Sequence, residues 1–431
     1  MQALHCERRA WLAANHPELG APNSRGLELR LLQGQQIGRI AHQLFPGGSF
    51  PGGLNDADRA TATIELLKNK APIYEGVFLA KNCSARVDIL TPNEAGWTLV
   101  EVKSSTRVKP EHIQDIAFQA WVAKESGVTI QKFAVAHINS GFRLRAELDD
   151  PWEFFEVVDV TSDVMAVLAE LPIYDYCHQE IPPNDTRFFP VIGQEQIDAL
   201  RARGQVTIEQ VEDIDRLTAV QSRAIKAANE KKTVVDEKLK KVLSRFSYPL
   251  AFVDFEAFSS GIPILPGSKP YQAIPFQWSV HLVQGPGQHT SHEGFLHKGM
   301  NDPRDRFVET LELATRSANG IVHYSPYELQ LLKGMAEDGV PGAGSLYNRF
   351  AEKSLDLLKI IRENVYDINF QSSFSLKVVL ASLLPGLDYS GLAVQDGDSA
   401  AAAYLAFFTG SLSREEAEQT LSDLEKYCKY D

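Results

Sequence analysis

Two apolar runs on either side of a turn constrain the fold more than any other feature of the sequence. Residues 84–90 and 97–103 have the pattern of strands, and residues 92–96 contain proline, asparagine and glycine, which favour turns. This arrangement predicts an antiparallel hairpin. Residues 111–125 then have a helical pattern, and residues 132–138 form another apolar strand. The alternation of strands and helices predicts an α/β fold.

A second folded block begins near residue 248. Residues 250–256, 275–282 and 320–324 are predicted strands, and the rest of this block has mostly helical patterns. A total of 431 residues fits two folded domains and a connector. We therefore predict a first domain at 1–150, a mostly helical connector at 151–247 and a second domain at 248–431.

Acidic residues outnumber basic residues in the chain. There are 43 basic and 56 acidic residues, which argues against a protein that coats nucleic acid by neutralising phosphates. A nuclease remains compatible, because its carboxylates hold metal ions that meet the phosphate. Segment 220–245 has eight basic and three acidic residues, so it fits either a solvated helical linker or a nucleic-acid-binding arm. The candidate binding lysines of this segment are Lys231, Lys232, Lys238, Lys240 and Lys241.

Features of membrane and secreted proteins are not expected. No stretch approaches the roughly 18 uninterrupted apolar residues of a membrane span. The first nine residues lack the apolar segment of a signal peptide. The four cysteines contain no close pair, which argues against a disulfide framework and a zinc module. We expect a cytoplasmic protein without membrane contact.

Three side chains of the predicted hairpin suggest a metal site. Glu101 and Lys103 are two residues apart on a strand, so they share a face. Asp88, on the preceding strand, can reach the same edge. Two carboxylates and an ammonium group can hold Mg²⁺ and position a water molecule. A surface salt bridge between Lys103 and a neighbouring acid fits the same residues, and the choice stays open here.

This pattern resembles the PD-(D/E)XK nucleases of the RecB type. An Asp precedes a turn, an apolar strand ends in Glu-X-Lys, and the following helix carries a glutamine, here Gln119. The resemblance implies a restriction-endonuclease-like fold for about 150 residues. Asp88 and Glu101 would hold the metal, and Lys103 and Gln119 would join them as catalytic residues.

The resemblance extends to residues upstream of the hairpin. His42 resembles a histidine that such nucleases carry on an early helix near the metal, and Glu75 resembles their upstream acid. Relatives of the CRISPR-adaptation type add an iron–sulfur cluster, with one cysteine near the N-terminus and three after the nuclease core. Cys6 fits the first position, but only Cys177 remains for the other three. Because four thiolates are needed, we do not expect the cluster.

The C-terminal block contains a second group of acidic residues. Asp254 and Glu256 share a face of a predicted strand, where an ionised pair needs a counter-charge such as a divalent cation. Tyr427 and Asp431 are four residues apart on a predicted helix and also share a face, with Cys428 turned away.

These motifs resemble the DEDDy group of RNase H-like 3′→5′ exonucleases, of the DnaQ type. The resemblance implies that Asp254, Glu256 and Asp431 hold metal ions and that Tyr427 orients the attacking water. The remaining ligand would be Glu328, where the group more often has Asp.

An alternative role for Glu328 is structural. Ser325, Pro326 and Glu328 also fit the cap, first-turn proline and reciprocal acid of a capping box, a role that does not exclude metal binding. Asp356 is the alternative fourth ligand.

Longer stretches carry a broader resemblance. Residues 253–257, 269–281 and 373–377 resemble a bacterial domain family of unknown function whose members join a RecB-type nuclease to this exonuclease-like half. Members of this family usually continue past the terminal Asp, so we expect that the chain is truncated after Asp431. An acid on the last residue of a helix would be poorly held in place.

The combined prediction is a nuclease that uses Mg²⁺ or Mn²⁺ to cleave DNA or RNA at two sites. The alternative is a nucleic-acid-binding or assembly subunit with catalytically impaired nuclease folds, which the glutamate at 328 and the end at 431 support. A third hypothesis is a hydrolase of small nucleotides, although the basic segment 220–245 favours a polymer.

Overall fold

The computed structural model describes most of the chain and shows a mixed α/β fold. The described residues are 24–81, 83–169, 185–211, 217–288, 290–384, 386–387 and 391–430. The chain divides into two compact units, one formed by Met1–His178 with Ser259–Gln272 and the other by Gln179–Phe258 with Ala273–Asp431. Within the described residues, no helix has the length and apolar character needed to cross a membrane.

The first unit is built on a five-stranded sheet of order β1-β2-β3-β4-β5. Its strands are β1 (Ile73–Ala80), β2 (Cys83–Asn93), β3 (Gly96–Lys103), β4 (Lys132–Ile138) and β5 (Phe155–Asp159). Its described helices are α1 (Arg25–Ala41), the 3₁₀ helix His42–Leu44, α2 (Asp56–Leu67), α3 (Pro110–Glu125), α4 (Pro151–Phe154) and α5 (Thr161–Ala169).

The predicted hairpin is confirmed. Strands β2 and β3 pair in antiparallel register as far as Asn93 and Gly96. The predicted helix and the strand after it are α3 and β4, and β4 pairs with β3 in parallel. A parallel pair needs a crossover connection, which α3 provides. Pro110 begins α3, where its missing N–H and fixed φ cost nothing.

Helices cover both faces of this sheet near β3. Leu99 shares a hydrophobic core with Ile116 of α3, whereas Val100 belongs to a second core with Ile37 of α1. Because side chains alternate along a strand, Glu101 lies on the face of Leu99 and is directed toward α3. The fold therefore places the Glu-X-Lys motif beneath one face of that helix.

The second unit contains a five-stranded sheet of order β11-β10-β7-β8-β9 and a short pair formed by β6 and β12. The strands are β6 (Val234–Val235), β7 (Leu250–Phe258), β8 (Ile274–Val283), β9 (Thr290–Leu296), β10 (Gly320–His323), β11 (Ser354–Asp356) and β12 (Val365–Tyr366). The described helices are α6 (Gln194–Ala202), α7 (Ala219–Glu230), α8 (Lys238–Leu243), α9 (Arg304–Thr315), α10 (Tyr327–Glu337), α11 (Ala343–Lys353), α12 (Leu357–Asn364), α13 (Leu376–Leu383), α14 (Gly397–Phe408) and α15 (Arg414–Tyr430). Three 3₁₀ helices add Thr186–Phe188, Ile208–Gln210 and Ile368–Phe370.

The main sheet of the second unit is mixed. Strands β7, β8 and β9 pair in antiparallel order, and β10 pairs in parallel with both β7 and β11. The three predicted strands of this block are confirmed as β7, β8 and β10. Phe255 of β7 packs edge-on against Phe307 of α9 in the core beneath the sheet. Asp254 and Glu256, on either side of Phe255 in sequence, lie on the opposite face.

Residues 185–211 and 217–247 pack as part of the second unit. Phe189, Ala224 and Val234 share a core with Tyr366 and Phe370. In the predicted, mostly helical connector, residues 194–203 and 207–215 have helical patterns; the first is confirmed as α6, but the second is wrong over its described residues. There a 3₁₀ helix ends at Gln210 and the chain becomes extended.

Candidate functional site

A pocket of about 600 Å³ opens at the carboxyl end of β3 in the first unit. This volume lies in the range of small-ligand sites. Five residues that the sequence singles out line the pocket: His42, Glu75, Asp88, Glu101 and Lys103. They come from the end of α1, from the hairpin and from β1, so side chains far apart in sequence share one cavity.

Glu101 is fixed by donors on both of its oxygens. Lys103 Nζ donates to Glu101 Oε1 over 2.7 Å, and Gln119 Nε2 donates to Glu101 Oε2 over 2.9 Å. Lys103 Nζ also donates to Asp115 Oδ2 over 2.6 Å. Asp115 and Gln119 are four residues apart and therefore share a face of α3. This face fixes the orientation of both residues of the Glu-X-Lys motif.

Asp88 is a partly buried carboxylate beside Glu101. Its Oδ2 accepts the Val102 N–H over 2.7 Å. Burial, followed by the charge of Glu101, raises the pKa of Asp88 well above its ordinary value. Burial also raises the pKa of Glu101, although Lys103 opposes that shift. Burial alone would lower the pKa of Lys103, but the charges of Glu101 and Asp115 outweigh it and raise the pKa.

Glu75 and His42 complete the polar wall of the pocket. Glu75 lies between Tyr74 and Gly76, which pair with Ile89 and Val87 of β2, and has a φ of 55°, in the left-handed region. Strained backbone of this kind concentrates at functional sites. The His42 ring stacks on Tyr74 with centroids 4.3 Å apart, and its buried Nε2 has no hydrogen-bond partner among the described residues. Burial lowers the pKa of His42 and raises that of Glu75.

The electrostatics of the pocket match those of a cation site. Three carboxyl groups, those of Glu75, Asp88 and Glu101, all have raised pKa values because burial disfavours their charge. A divalent cation would relieve this penalty, and oxygen ligands suit Mg²⁺ and Mn²⁺. Within the described ranges, however, no three His, Cys, Asp or Glu side chains form a ligand set for one ion. The donors therefore fit the cation in chemical type, and Asp88 and Glu101 are the residues that would hold it.

A second acidic group lies in the second unit. Glu256 and Glu328 are buried, with 7% and 4% of their surfaces exposed. Glu328 Oε2 has no hydrogen-bond partner in the described part of the chain. Burial, opposed by the backbone N–H of Glu328 and reinforced by the charges of Asp254 and Asp356, raises its pKa to about 8. Glu328 Oε2 lies 3.9 Å from His323 Nδ1. Among the described residues Asp254, Glu256 and Glu328 do not form a ready ligand set for one ion, although they are the side chains that would hold a cation here.

The capping role proposed for Glu328 is wrong. The Ser325 hydroxyl accepts the Tyr327 N–H over 3.2 Å, and within the described residues no side chain caps α10 at Pro326. Asp356, the alternative ligand, caps α12 by accepting the Lys359 N–H over 2.9 Å. Glu328 therefore has no structural capping function, whereas Asp356 does.

Helix α15 places Cys428 next to the acidic group, which the sequence did not suggest. Cys428 Sγ lies 3.7 Å from Asp254 Oδ2, so the prediction that Cys428 turns away is wrong. Leu424, Tyr427 and Cys428 are all buried and form one stripe at i, i+3 and i+4. Because α15 packs this stripe against the sheet, Tyr427 and Cys428 are both directed inward. Asp431 lies outside the described residues.

Sequence reasoning missed two residues near the carboxylates of the second unit. Partial burial, followed by the charges of Glu256, Glu328 and Asp254, raises the pKa of Tyr327, whose surface is 39% exposed. A Cβ added at Gly397 would lie 3.7 Å from Glu256 Oε2, so α14 begins next to that carboxylate. The only available signal was the position of Tyr327 directly before Glu328.

The five candidate lysines of segment 220–245 are exposed around the end of α7 and on α8: Lys231, Lys232, Lys238, Lys240 and Lys241. Lys232 forms a 2.9 Å salt bridge with Glu230. The segment is therefore folded as two helices and the intervening β6, with its ammonium groups facing solvent.

Comparison with known proteins gives one match. Residues 251–375 match a family described as Domain of unknown function (DUF2779). This range contains Asp254, Glu256 and Glu328, and it confirms the resemblance to a domain of unknown function for this part of the chain. Searches of curated proteins and of solved structures return no match.

Proposed function

We propose that this chain is a metal-dependent nuclease with a PD-(D/E)XK site in its first unit and an RNase H-like 3′→5′ exonuclease site in its second. The convergence of Asp88, Glu101, Lys103 and Gln119 at the end of one strand carries this proposal. Structural salt bridges do not need Asp88, which adds a second carboxylate to the same place at a cost in free energy, because burial and the charge of Glu101 raise its pKa.

Each residue of the first site has a definable task. A bound Mg²⁺ or Mn²⁺ would polarise the phosphate and lower the pKa of an attacking water. Asp88 and Glu101 would hold this ion, and Gln119 fixes the plane of the Glu101 carboxylate. Lys103 keeps its proton because its pKa is raised, so it orients water or phosphate by charge and does not abstract a proton.

The second site would act on a 3′ end. Asp254, Glu256 and Glu328 would hold the cations. The buried Glu328 Oε2, which accepts no hydrogen bond in the part of the structure that is described, supports this assignment. Asp431 would complete the set, and Tyr427 would orient the attacking water. The exposed lysines of segment 220–245 support a polymeric substrate, because ammonium groups bind phosphates along a strand.

Cleavage assays on labelled single- and double-stranded DNA and RNA with Mg²⁺ or Mn²⁺ test the proposal. Glu101→Ala should abolish one activity and Asp254→Ala the other. Matched controls are Glu94→Ala, in the exposed turn of the same hairpin, and Glu293→Ala, exposed on β9. The proposal fails if both site variants cut every substrate as the parent does.

One observation favours a second candidate function, a nucleic-acid-binding subunit with impaired sites. Within the described residues no three acidic or histidine side chains form a cation site, and Lys103 already occupies Glu101. This candidate predicts nucleic-acid binding without carboxylate-dependent binding of Mn²⁺.

A further inference from the structure

One aromatic ring stands at the mouth of the pocket in the first unit. Phe50 lines this pocket together with Asp88 and Glu101, yet 59% of its surface is exposed. Single exposed apolar residues are common on protein surfaces. Phe50 differs because its ring is held in place and stands beside the candidate catalytic carboxylates.

Two neighbouring rings fix the position of Phe50. The Phe50 ring meets His42 edge-on and Tyr74 at a tilt, with centroids 5.3 Å apart in each pair. Such arrangements are favourable for aromatic pairs. The contacts leave much of the Phe50 ring open to solvent at the pocket.

The loop that carries Phe50 is tied to β1. Tyr74 Oη donates to the Phe45 carbonyl over 2.6 Å and accepts the Gly48 N–H over 3.0 Å. Ser49 and Tyr74 share a backbone hydrogen bond of 3.0 Å. A Cβ at Gly48 would lie 2.3 Å from the Tyr74 ring, so only glycine permits this close approach. The Phe50 ring is therefore held at a fixed place relative to β1, the strand of Glu75.

Helix α1 and strand β2 add space and positive charge to the lining of the pocket. Gly34 and Gly38 of α1 line the pocket, and a Cβ at either would meet no described atom within 4 Å. Arg39 and Arg86 line it as well. Guanidinium groups bind phosphate oxygens. The pocket therefore combines a ring, an open stretch of α1 and the guanidinium group of Arg39, whereas Arg86 is paired with Asp56 over 3.3 Å.

We propose that Phe50 is a specificity-determining residue on which a base of an unpaired substrate strand stacks while the adjoining phosphate enters the same pocket. This inference rests on the proposed nuclease function. In a duplex, neighbouring base pairs cover the faces of each base, so a protein ring can stack only on a base that has left the stack. Phe50 therefore selects single-stranded stretches or frayed ends.

Fluorescence anisotropy with a fluorescein-labelled oligodeoxynucleotide in EDTA tests the inference without cleavage. Removing one base–aromatic stack should weaken single-strand binding by Phe50→Ala roughly 5- to 150-fold. Phe50→Trp keeps a ring and should bind like the parent. Leu54→Ala, at a residue that is 99% exposed outside the pocket lining, is the matched control and should have no effect. Duplex binding should change less than about twofold in every variant.

An abasic-site series separates stacking from a structural role of Phe50. Removal of one base should weaken binding by the parent at a defined position, whereas the same oligonucleotide should lose nothing further with Phe50→Ala. The inference is overturned if the parent does not bind the single strand, if Phe50→Ala binds it as the parent does, or if the abasic penalties are equal in both proteins.

The assays distinguish failure of the nuclease function from failure of the stacking role. A parent that stacks a base on Phe50 but cuts no substrate refutes the nuclease function and supports the binding role. A parent that cuts single strands, with Phe50→Ala binding and cutting them equally well, refutes the stacking role and leaves the nuclease function standing.

Discussion

The variant Glu328→Gln measures how much the buried negative charge of Glu328 lowers the free energy of unfolding. Glu328 is 4% exposed, and burial, opposed by its backbone N–H and reinforced by the charge of Asp254, raises its pKa from 4.5 to about 8. Between these two values the folded chain keeps a proton that the unfolded chain loses, so stability falls as pH rises. One pKa unit corresponds to about 1.4 kcal/mol, so the metal-free parent loses about 3 kcal/mol by pH 7 and about 5 kcal/mol above pH 8.

Glutamine has nearly the size of protonated glutamate but cannot ionise. Urea unfolding in EDTA should therefore show equal stabilities of parent and Glu328→Gln near pH 4.5 and an advantage of about 3 to 5 kcal/mol for the variant at pH 7 to 8. Glu337→Gln, exposed on the same helix, is the control and should follow the parent. Parallel pH profiles for the parent and Glu328→Gln would refute the assignment of this buried charge.

Addition of Mn²⁺ should reduce the difference. A cation that binds the folded parent stabilises it by about 2.7 kcal/mol at a hundred times its Kd, whereas the variant lacks one ligand. The advantage of Glu328→Gln at pH 8 should therefore shrink or disappear in saturating Mn²⁺, as measured by the same urea titration.

Three further predictions concern the first unit. Asp88→Asn removes a carboxyl group whose pKa burial and Glu101 hold high, so urea unfolding at pH 8 should show a gain of about 1 to 2 kcal/mol while the cleavage assay shows loss of the first activity. Asp115→Asn removes one of two acceptors of Lys103, so the pKa of Lys103 should fall and kcat should fall roughly 10- to 100-fold with KM unchanged. An unchanged kcat would contradict this role of Asp115. Gly38→Ala should stabilise α1 by about 0.5 to 1 kcal/mol in urea, because its Cβ meets no described atom within 4 Å, yet weaken single-strand binding in anisotropy. Equal single-strand binding by Gly38→Ala and the parent would show that the substrate does not pass over this part of α1.

The sequence predicted the elements whose residues follow a clear period. The hairpin of β2 and β3, helix α3 and strands β4, β7, β8 and β10 all follow from apolar alternation or helical spacing. Strand β9 was missed, because most of its side chains are polar and exposed and so give no apolar alternation. The proximity of Asp88 to Glu101 follows from the pairing of the two hairpin strands.

Contacts that depend on how a helix turns against a sheet could not be predicted. Asp115 meets Lys103 only because α3 presents that face to β3. Cys428 meets Asp254 because α15 packs a stripe wide enough to include both Tyr427 and Cys428. Helical spacing shows which residues share a face but does not show which residue of that face meets a given strand position.

Phe50 lay outside any periodic pattern. It belongs to a glycine- and proline-rich stretch at 46–53, where apolar spacing gives no information about exposure. Its position depends on the hydrogen bonds of Tyr74 with the loop, which connect residues about 30 positions apart. Such distant pairings become visible only in the folded chain.

Calorimetric titration with Mn²⁺ tests most directly the claim that two separate carboxylate groups bind divalent cations. The parent should bind Mn²⁺ at two sets of sites, Glu101→Gln should lose one set, Asp254→Asn should lose the other, and the double variant should bind none. A parent that binds no Mn²⁺, or single variants that bind it as the parent does, would contradict the claim.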